Sequence, residues 1–380
     1  AHAAYTESRW GEGDAGRATD RWLVGRNDGE PRRLTFDNVG ARSLTGAPDG
    51  GSLYFLGRDR AGRDAPPHAG STQVWRIALD GTGLRAVTRV PDGVGAFQLA
   101  PDGRSLYYTI DVKETDEPWR DLRDRYGDLD YGHGVRHLTA VHHLDLVTWR
   151  DREIIAPTQV IWEMSSAPDG KHLGLITTLD NEQIHMEGWS RVEVVELASG
   201  AATPITDPAW RADHPSPFGW LEDLVWSADS QALAFSIAYD GYATRIWTAE
   251  RSADHWDLHL VERPDLVSYA AGLSWRGRDR SLCYLGEIKG RIHVYETERV
   301  ADGRQGASRA LTAGDLVTGA FAFDRRGGNL TTVRETTTDG NDIYAVDKKG
   351  QTRRRTRVNP QIDTWQLPQI SHVSWTGADG

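Results

Sequence analysis

The turn sequence Ala47-Pro48-Asp49-Gly50 recurs at Ala100-Pro101-Asp102-Gly103 and at Ala167-Pro168-Asp169-Gly170. Each copy is followed by an alternating run of apolar residues, such as Ser52-Leu53-Tyr54-Phe55-Leu56. A tight Asp-Gly turn between alternating segments is typical of a β-hairpin. Degenerate copies of this turn follow at Asp229, Asp279 and Asp324. The turn aspartates lie 45 to 67 residues apart, which indicates a repeating unit.

A second pair of strands follows each hairpin. The third strand is exemplified by Gln73-Val74-Trp75-Arg76-Ile77, and the fourth often ends in an apolar residue and a threonine. Examples are Val87-Thr88, Ile205-Thr206 and Leu311-Thr312. Four antiparallel strands in each repeat predict an all-β chain in which the sheets stack radially as the blades of a β-propeller. A set of β-sandwiches is disfavoured, because sandwiches lack such an internal repeat.

The repeats predict about seven blades, with the first blade incomplete. Residues 20–36 have the pattern of a third and fourth strand with no first and second strand before them. We expect one propeller domain over 1–366, with six further repeats beginning near residues 40, 94, 158, 218, 271 and 320. Either the chain begins inside its first blade, or a strand such as Ile370-Ser371-His372-Val373-Ser374-Trp375 completes that blade. An uncovered first blade would favour a homo-oligomer.

Charge and hydropathy exclude several classes of partner. The 380 residues include 44 basic and 55 acidic side chains, a net charge of −11, so we expect no nucleic acid partner. The apolar stretches are far shorter than a membrane span, and the start lacks the apolar core of a signal peptide. The single cysteine, Cys283, excludes an internal disulfide. The sequence therefore predicts no membrane association and a cytoplasmic location.

The long loops of the predicted propeller all fall on one face. In a four-stranded blade, the second-to-third loops and the blade-to-blade connections emerge on the same side, which we call the decorated face. Its long segments are 59–71, 112–138, 179–189 and 207–221, whereas the Ala-Pro-Asp-Gly turns of the opposite face are minimal. Loops carry function on rigid scaffolds, so the decorated face is the predicted functional surface.

The largest insertion predicts a short helix over 118–126. Trp119, Leu122 and Tyr126 would share one side of it and are expected to dock against the propeller. Arg125, in this insertion, and His133, which follows it, are candidates for the substrate-facing surface.

A metal site is not expected in this insertion. His133 and His137 would share a helical face, but Gly132 and Gly134 disfavour a helix there. Neither a His-Glu-x-x-His motif nor a cysteine pair supports metal binding, so these are interpreted as ordinary loop and strand histidines.

The third repeat contains the remaining candidates, Glu182, Glu187, Trp189 and Arg191. Carboxylates, an aromatic ring and an arginine in one short loop suit the amine end or the backbone of a peptide. The alternative is a solvated loop held by a buried Trp189 and a surface pair between Glu187 and Arg191.

Catalytic motifs are missing from the sequence. A hydrolase nucleophile elbow requires Gly-x-Ser-x-Gly, and segments such as Gly188-Trp189-Ser190-Arg191-Val192 lack the second glycine. The sequence also contains no P-loop, no dinucleotide fingerprint and no zinc spacing. We therefore predict neither a catalytic residue nor a cofactor.

Several segments together resemble a known family. The Ala-Pro-Asp-Gly hairpins, the insertion 119–135, the loop Glu187-Gly188-Trp189-Ser190-Arg191 and the segment 213–220 resemble the propeller of the prolyl oligopeptidase (S9) serine peptidases, in its acylaminoacyl-peptidase-like branch. The segment 367–380 resembles the junction at which such chains enter an α/β-hydrolase domain. The resemblance covers essentially the whole chain. Propeller repeats are shared with TolB-like and WD40-like proteins, so the insertion and the junction discriminate best.

The resemblance implies an α/β-hydrolase partner domain with a Ser-Asp-His triad, and a propeller that admits only short or unstructured peptides. The decorated face would form the wall of the substrate chamber, lined by Glu187, Trp189 and Arg191. The sequence ends at Gly380 before any elbow serine, so the chain alone is expected to be inactive. The rival hypothesis is a standalone TolB-like or WD40-like binding or scaffold propeller. A third is a propeller hydrolase with a metal in the central channel.

Overall fold

The computed structural model describes most of the chain. The residues described are 2–10, 17–27, 29–36, 42–58, 70–127, 134–212, 214–253, 255–264, 267–277, 281–299, 305–324, 327–371 and 373–378.

The strands follow one another in seven consecutive units, within which neighbouring strands pair antiparallel. The last two units share one eight-stranded sheet, joined by a parallel pairing of Ile292 with Val317. Blade 1 contains β1 (His2–Trp10), β2 (Arg17–Gly25) and β3 (Arg32–Arg33). Blade 2 contains β4 (Arg42–Gly46), β5 (Ser52–Gly57), β6 (Gln73–Ala78) and β7 (Arg85–Ala86). Blade 3 contains β8 (Phe97–Leu99), β9 (Ser105–Thr115), β10 (Val135–Asp145) and β11 (Asp151–Ile155). Blade 4 contains β12 (Val160–Ser166), β13 (His172–Thr178), β14 (Arg191–Glu196) and β15 (Ala202–Pro204).

The remaining blades repeat this pattern. Blade 5 contains β16 (Trp220–Trp226), β17 (Ala232–Tyr239), β18 (Tyr242–Arg251) and β19 (Trp256–Leu260). Blade 6 contains β20 (Tyr269–Arg276), β21 (Ser281–Ile288), β22 (Arg291–Arg299) and β23 (Gln305–Ala310). Blade 7 contains β24 (Val317–Phe323), β25 (Leu330–Glu335), β26 (Asp342–Val346) and β27 (Thr352–Arg354). The helices are α1 (Glu117–Arg125), α2 (Gln183–Gly188) and α3 (Pro208–Ala212), with a 3₁₀ turn at Pro360–Thr364.

The predicted turns join the first two strands of their blades. In the Ala-Pro-Asp-Gly copies, the glycine amide donates to the alanine carbonyl at 2.9 to 3.0 Å. Gly50, Gly103 and Gly170 have φ values of 67° to 73°, a region that an L side chain rarely adopts. The turn therefore requires glycine at this position. The all-β propeller predicted from the repeated turn sequence is confirmed.

The recurrent threonine after the fourth strand also has a structural role. Its hydroxyl accepts a hydrogen bond from a third-strand amide, as Thr88 does from Val74 at 2.9 Å and Thr206 does from Val192 at 2.9 Å. The same contact is made in other blades by Thr35, Thr312 and Thr356. The fourth strand is short, and this hydroxyl continues its pairing by one more bond.

Apolar clusters lie between successive blades from blade 1 to blade 6, and another joins blade 7 to blade 1. Blade 7 packs against blade 1 through Ile343, Val24 and Tyr5. Arg26 donates to the carbonyls of Leu330 and Val346 in blade 7, at 2.9 and 2.8 Å. In the opposite direction, Arg355 donates to the carbonyls of Gly25 and Gly29. Among the described residues, side chains and not a shared strand hold this seam, which we call the blade 7–blade 1 seam.

Blade 1 differs from the expectation in one respect. Strand β1 pairs with β2 along its whole length, from His2 with Gly25 to Trp10 with Arg17. A second strand therefore precedes the pair predicted over 20–36. Thr6, Glu7, Ser8 and Arg9 make the middle of β1 polar, so it lacks the alternation that identified the other second strands.

The C-terminal segment leaves the disc on the decorated face. β27 runs toward this face, and the 3₁₀ turn that follows lies against the second-to-third loop of blade 7, where a Cβ at Gly340 would be 3.1 Å from Ile362. The described residues after Thr364 form no strand, and Ile370, Val373 and Trp375 are exposed. Ile370–Trp375 thus does not complete blade 1 in this structure. No described helix has both the length and the apolar character needed to cross a membrane.

Candidate functional site

The three helices all lie in loops of the decorated face, next to blades 3 to 5. In blade 4, the Asp180 carboxylate accepts from the Glu182 amide at 3.0 Å and contacts Nδ1 of His185 at 2.6 Å. The His185 ring then stacks on Trp189, with ring centroids 4.1 Å apart and planes 12° from parallel. The short helix α2 is thus fixed by its own side chains at both ends.

A buried arginine joins this loop to the next blade. Arg211, at the end of α3, is 7% exposed. Its guanidinium donates to the carbonyls of Glu187 (2.9 Å), Ser190 (2.9 Å), Gly219 (3.2 Å) and Pro217 (3.4 Å). Burial lowers the pKa of Arg211 to about 10, which still leaves it charged at neutral pH. Arg211 therefore holds the α2 loop and the connection into β16 in one arrangement.

Four exposed aromatic side chains lie on the decorated face of blades 4 to 6. They are Trp189 (62% exposed), Phe218 (45%), Tyr242 (56%) and Tyr269 (44%), and we call them the aromatic surface. Gly188, which precedes Trp189 in the chain, lies against Phe218, because a Cβ at Gly188 would be 3.2 Å from the Phe218 ring. Tyr242 begins β18 and Tyr269 begins β20, at the ends of those strands that face the same side.

Carboxylates also lie on the inner strands of blades 4 and 5, and burial together with Glu222 and Asp223 raises the pKa of Tyr269. Glu163 Oε1 accepts from the Leu224 amide at 2.8 Å, and Asp223 Oδ2 accepts from the Gly272 amide at 2.9 Å. Burial raises the pKa of Glu163 to about 7, and it also raises the pKa of Asp223. The pKa of Glu222 is raised by burial and by the neighbouring Asp223 carboxylate. The negative charges of these acids repel one another, and a nearby cation would reduce this repulsion.

The structure separates the sequence candidates of blade 4. Trp189 is exposed, so the expectation that a buried Trp189 pins the loop is wrong. Arg191 Nε contacts the buried Glu193 carboxylate at 3.2 Å, and not Glu187 as the alternative supposed. Glu182 precedes α2, Glu187 lies in its last turn, and both are partly buried. Trp189 and the two glutamates thus share one short loop, while Arg191 is committed to its own strand.

The candidates in the largest insertion do not join this group. The predicted helix is observed as α1, but Leu122 and Tyr126 are 40% and 57% exposed, so its apolar stripe is not docked as expected. Trp119 alone packs inward, and a Cβ at Gly134 would be 1.9 Å from its ring. Arg125 is exposed at the end of α1. His133 lies outside the described residues.

Two of the three histidines of β10 are paired with carboxylates, and the third, His143, packs against Tyr107. Nδ1 of His137 is 2.9 Å from Asp111, and Nδ1 of His142 is 2.9 Å from Asp151. Within the described part of the chain, no group of three His, Cys, Asp or Glu side chains is placed to hold a metal ion.

The opposite face has a large cavity that the sequence did not indicate. It measures about 1790 Å³, and Trp226, Trp275 and Arg276 are among its lining residues. The buried Glu296 carboxylate accepts from Arg276 at 2.7 Å and also pairs with Arg309. The inner strands of blades 4 to 7 end at this cavity. It is therefore the place where the space between these blades opens on the face of the Ala-Pro-Asp-Gly turns.

Sequence reasoning missed Tyr242 and Tyr269. Both stand next to loops, Tyr242 after the Asp240-Gly241 turn and Tyr269 at a strand start, where an aromatic residue has no core to fill. Large aromatic residues at the strand ends that face the decorated side were the signal that could have found them. The exposed aromatic rings of this site offer stacking and apolar contact, and carboxylates lie nearby. These groups suit the binding of a ligand.

Comparisons with known proteins support the fold. No protein-family model and no curated protein matches the sequence. Among solved structures, Pyrococcus horikoshii acylaminoacyl peptidase has a TM-score of 0.65 and 14% identity, with 96% of this chain and 52% of that chain covered. The β-propeller domain of the trilobed protease from Pyrococcus furiosus has a TM-score of 0.59 and 11% identity, covering 94% and 95%. Oligogalacturonate lyase in complex with manganese has a TM-score of 0.60 and 15% identity, covering 95% and 89%.

These similarities confirm, at the level of the fold, the resemblance found in the sequence. The chain spans about half the length of the acylaminoacyl peptidase and nearly all of the trilobed protease propeller. The structural neighbours of this chain therefore include the propeller domains of S9 peptidases, and its fold is a β-propeller.

Proposed function

We propose that this chain is the gating and substrate-selecting propeller of an S9-type serine peptidase. In this proposal an α/β-hydrolase domain supplies the serine nucleophile, and the decorated face forms the wall of the chamber in front of it. The hydrolase would cleave peptide bonds by acyl transfer through an acyl-enzyme. The proposal includes a cytoplasmic location, which the single buried Cys283 suits.

The main support for this proposal is that the chain leaves blade 7 on the decorated face. A domain joined after Trp375 would start from the decorated face, where α1, α2, α3 and the aromatic surface are gathered. The similarity to acylaminoacyl peptidase supports the same arrangement, since the propeller is about half of that chain.

Labelling with a serine-reactive fluorophosphonate tests the catalytic part of the proposal. The complete polypeptide that contains residues 1–380 should be labelled at a serine outside them and should hydrolyse a short unstructured peptide. The same peptide sequence inside a folded protein should resist cleavage. Labelling of a serine within residues 1–380, with loss of peptidase activity, would contradict the proposal.

A standalone binding propeller remains the second candidate. The closed blade 7–blade 1 seam favours it, because the ring needs no other domain to complete it. This candidate predicts that the complete polypeptide is not labelled at any serine, while residues 1–380 alone bind their ligand with full affinity.

A further inference from the structure

The aromatic surface is a ligand-accessible feature that the fold does not require. Trp189, Phe218, Tyr242 and Tyr269 are between 44% and 62% exposed, whereas core aromatic residues such as Phe55 and Phe235 are completely buried. Exposed aromatic residues gathered on one face mark an interaction surface.

Negative charge predominates around this surface, although Lys289 and Arg245 lie at the same end of blades 5 and 6. Carboxylates occur at the decorated ends of all three blades: Asp180, Glu182, Glu187, Glu222, Asp223, Asp240 and Glu287. Most nearby arginines are engaged elsewhere. Arg211 is buried among carbonyls, Arg191 pairs with Glu193, and Arg291 pairs with Asp315 at 2.9 Å. Lys289 is exposed in the turn of blade 6.

We propose that the aromatic surface binds extended peptides through their lysine or arginine side chains. A cation placed over an indole or phenol ring is attracted by the ring face, and carboxylates beside the ring add to this attraction. Trp189 is 62% exposed, it lies two residues after Glu187 in the chain, and one face of its ring stacks on His185. This proposal rests on the proposed function and adds the substrate class to it.

The same charges disfavour other ligands. An acidic peptide would place like charges beside Glu222 and Asp223, which already repel each other. Nucleic acid would be repelled for the same reason and by the net charge of −11.

Fluorescence anisotropy with matched peptides tests the proposal on the chain 1–380. Three labelled peptides with blocked ends would share one sequence and differ only in carrying lysine, glutamine or glutamate at the same positions. We expect the lysine peptide to bind about tenfold more tightly than the glutamine peptide at low salt, and the difference to shrink as salt is added. Blocked ends ensure that a free terminal amine does not supply the charge.

Two variants assign the effect to this surface. Glu222→Gln should reduce the preference for lysine without weakening the glutamine peptide, whereas Trp189→Ala should weaken both. Glu196→Gln and Trp149→Ala are the matched controls, because these exposed residues lie on the opposite face, at the end of β14 and in the loop after β10, and they should leave binding unchanged. Circular dichroism would check that each variant folds.

The outcomes distinguish the two proposals. Equal binding of all three peptides, weakened by Trp189→Ala, would overturn the preference for basic peptides and leave the substrate-selecting role standing. Binding that responds to the control variants and not to Trp189→Ala would overturn both. Preference for the glutamate peptide would overturn the charge argument directly.

Discussion

At the scale of single residues, Arg211 shows how this propeller positions its decorated face. It is a buried cation whose hydrogen-bond acceptors are carbonyl oxygens of the two segments on either side of it. Such an arrangement satisfies the guanidinium and at the same time fixes backbone that has no regular partner. The position of Trp189 therefore depends on a residue in the connection to the next blade.

Replacement of this arginine tests that dependence. Arg211→Ala leaves buried carbonyls without donors, and we expect a loss of about 3 kcal/mol in the free energy of unfolding. Urea denaturation would measure the loss, and amide hydrogen exchange should accelerate first in 183–190. Arg104→Ala, at an exposed position, is the control. An unchanged exchange rate in the α2 loop would show that Arg211 does not hold it.

Cys283 gives a second prediction at this scale. The thiol is completely buried, and burial together with the Glu296 carboxylate raises its pKa to about 12. Since the thiolate is the reactive form, native protein should resist alkylation by iodoacetamide at pH 8, and urea should restore normal reactivity. Rapid stoichiometric labelling of the folded chain would be incompatible with this burial.

Individual side chains were also where sequence reasoning was least successful. Tryptophan is usually a core residue, yet Trp189 is exposed, because the contacts of Arg211 and Gly188 fix the conformation of the loop that carries it. Arg191 was assigned to Glu187 by proximity in sequence, but strand alternation turns it toward Glu193. Both outcomes depend on contacts between segments far apart in the chain, which local patterns do not encode.

At the scale of elements, the inner strands of the middle blades are linked through bulges. β12, β16 and β20 each shift register near their start, and carboxylates of one blade bind the bulge amides of the next. Glu163 holds Leu224, and Asp223 holds Gly272. These contacts link the inner strand of blade 4 to that of blade 5, and the inner strand of blade 5 to that of blade 6.

The ionisation of Glu163 should make stability depend on pH. Its pKa is about 7 in the folded protein, against an ordinary value of 4.5, so between these values the folded state retains a proton that the unfolded chain has lost. Stability attributable to this group is therefore present at low pH and falls as the pH rises to about 7. Glu163→Gln keeps an acceptor oxygen without the charge. We expect it to flatten this dependence and to gain up to about 3 kcal/mol at pH 8.

Denaturation curves between pH 4.5 and pH 8 would measure this effect. Glu196→Gln, an exposed position on the same blade, should keep the parental pH dependence. A variant Glu163→Gln that loses stability at every pH would show that the amide cannot replace the carboxylate at the bulge.

Elements were more predictable than residues, because their signals are local and repeated. The Asp-Gly turns and the fourth-strand threonines identified the blades, since each encodes a particular hydrogen bond within its own hairpin. Strand β1 was not predicted, because its polar middle carries neither of these two sequence signals. The bulges were not predicted either, because the Glu163 carboxylate and the Leu224 amide that it binds lie about sixty residues apart in the chain.

At the scale of the whole molecule, the blade 7–blade 1 seam is the distinctive junction. Arg26 and Arg355 cross it in opposite directions, each to two carbonyls of the facing blade. Both chain ends of the ring meet here. The seam therefore depends on these side chains and on the small apolar cluster around Tyr5, Val24 and Ile343.

Loosening this seam should weaken the ring at one place. Arg26→Ala with Arg355→Ala should lower the free energy of unfolding by about 2 to 4 kcal/mol, as bonds from charged donors are lost. Hydrogen exchange should rise first in β1 and β26. Arg353→Ala, exposed and close in sequence to Arg355, serves as the control. Uniform acceleration over all blades would indicate that the seam is no weaker than the other junctions.

The short turns of the face opposite α2 have a practical consequence. Val147, Thr148 and Trp149 form an exposed bend between the outer strands of blade 3, and Trp149 contacts only Arg85 among the ring partners observed. A biotin acceptor sequence grafted at this bend would tether every molecule to a sensor chip in the same orientation. The side bearing Trp189 would then point into the flow, so immobilisation itself would not mask the ligand.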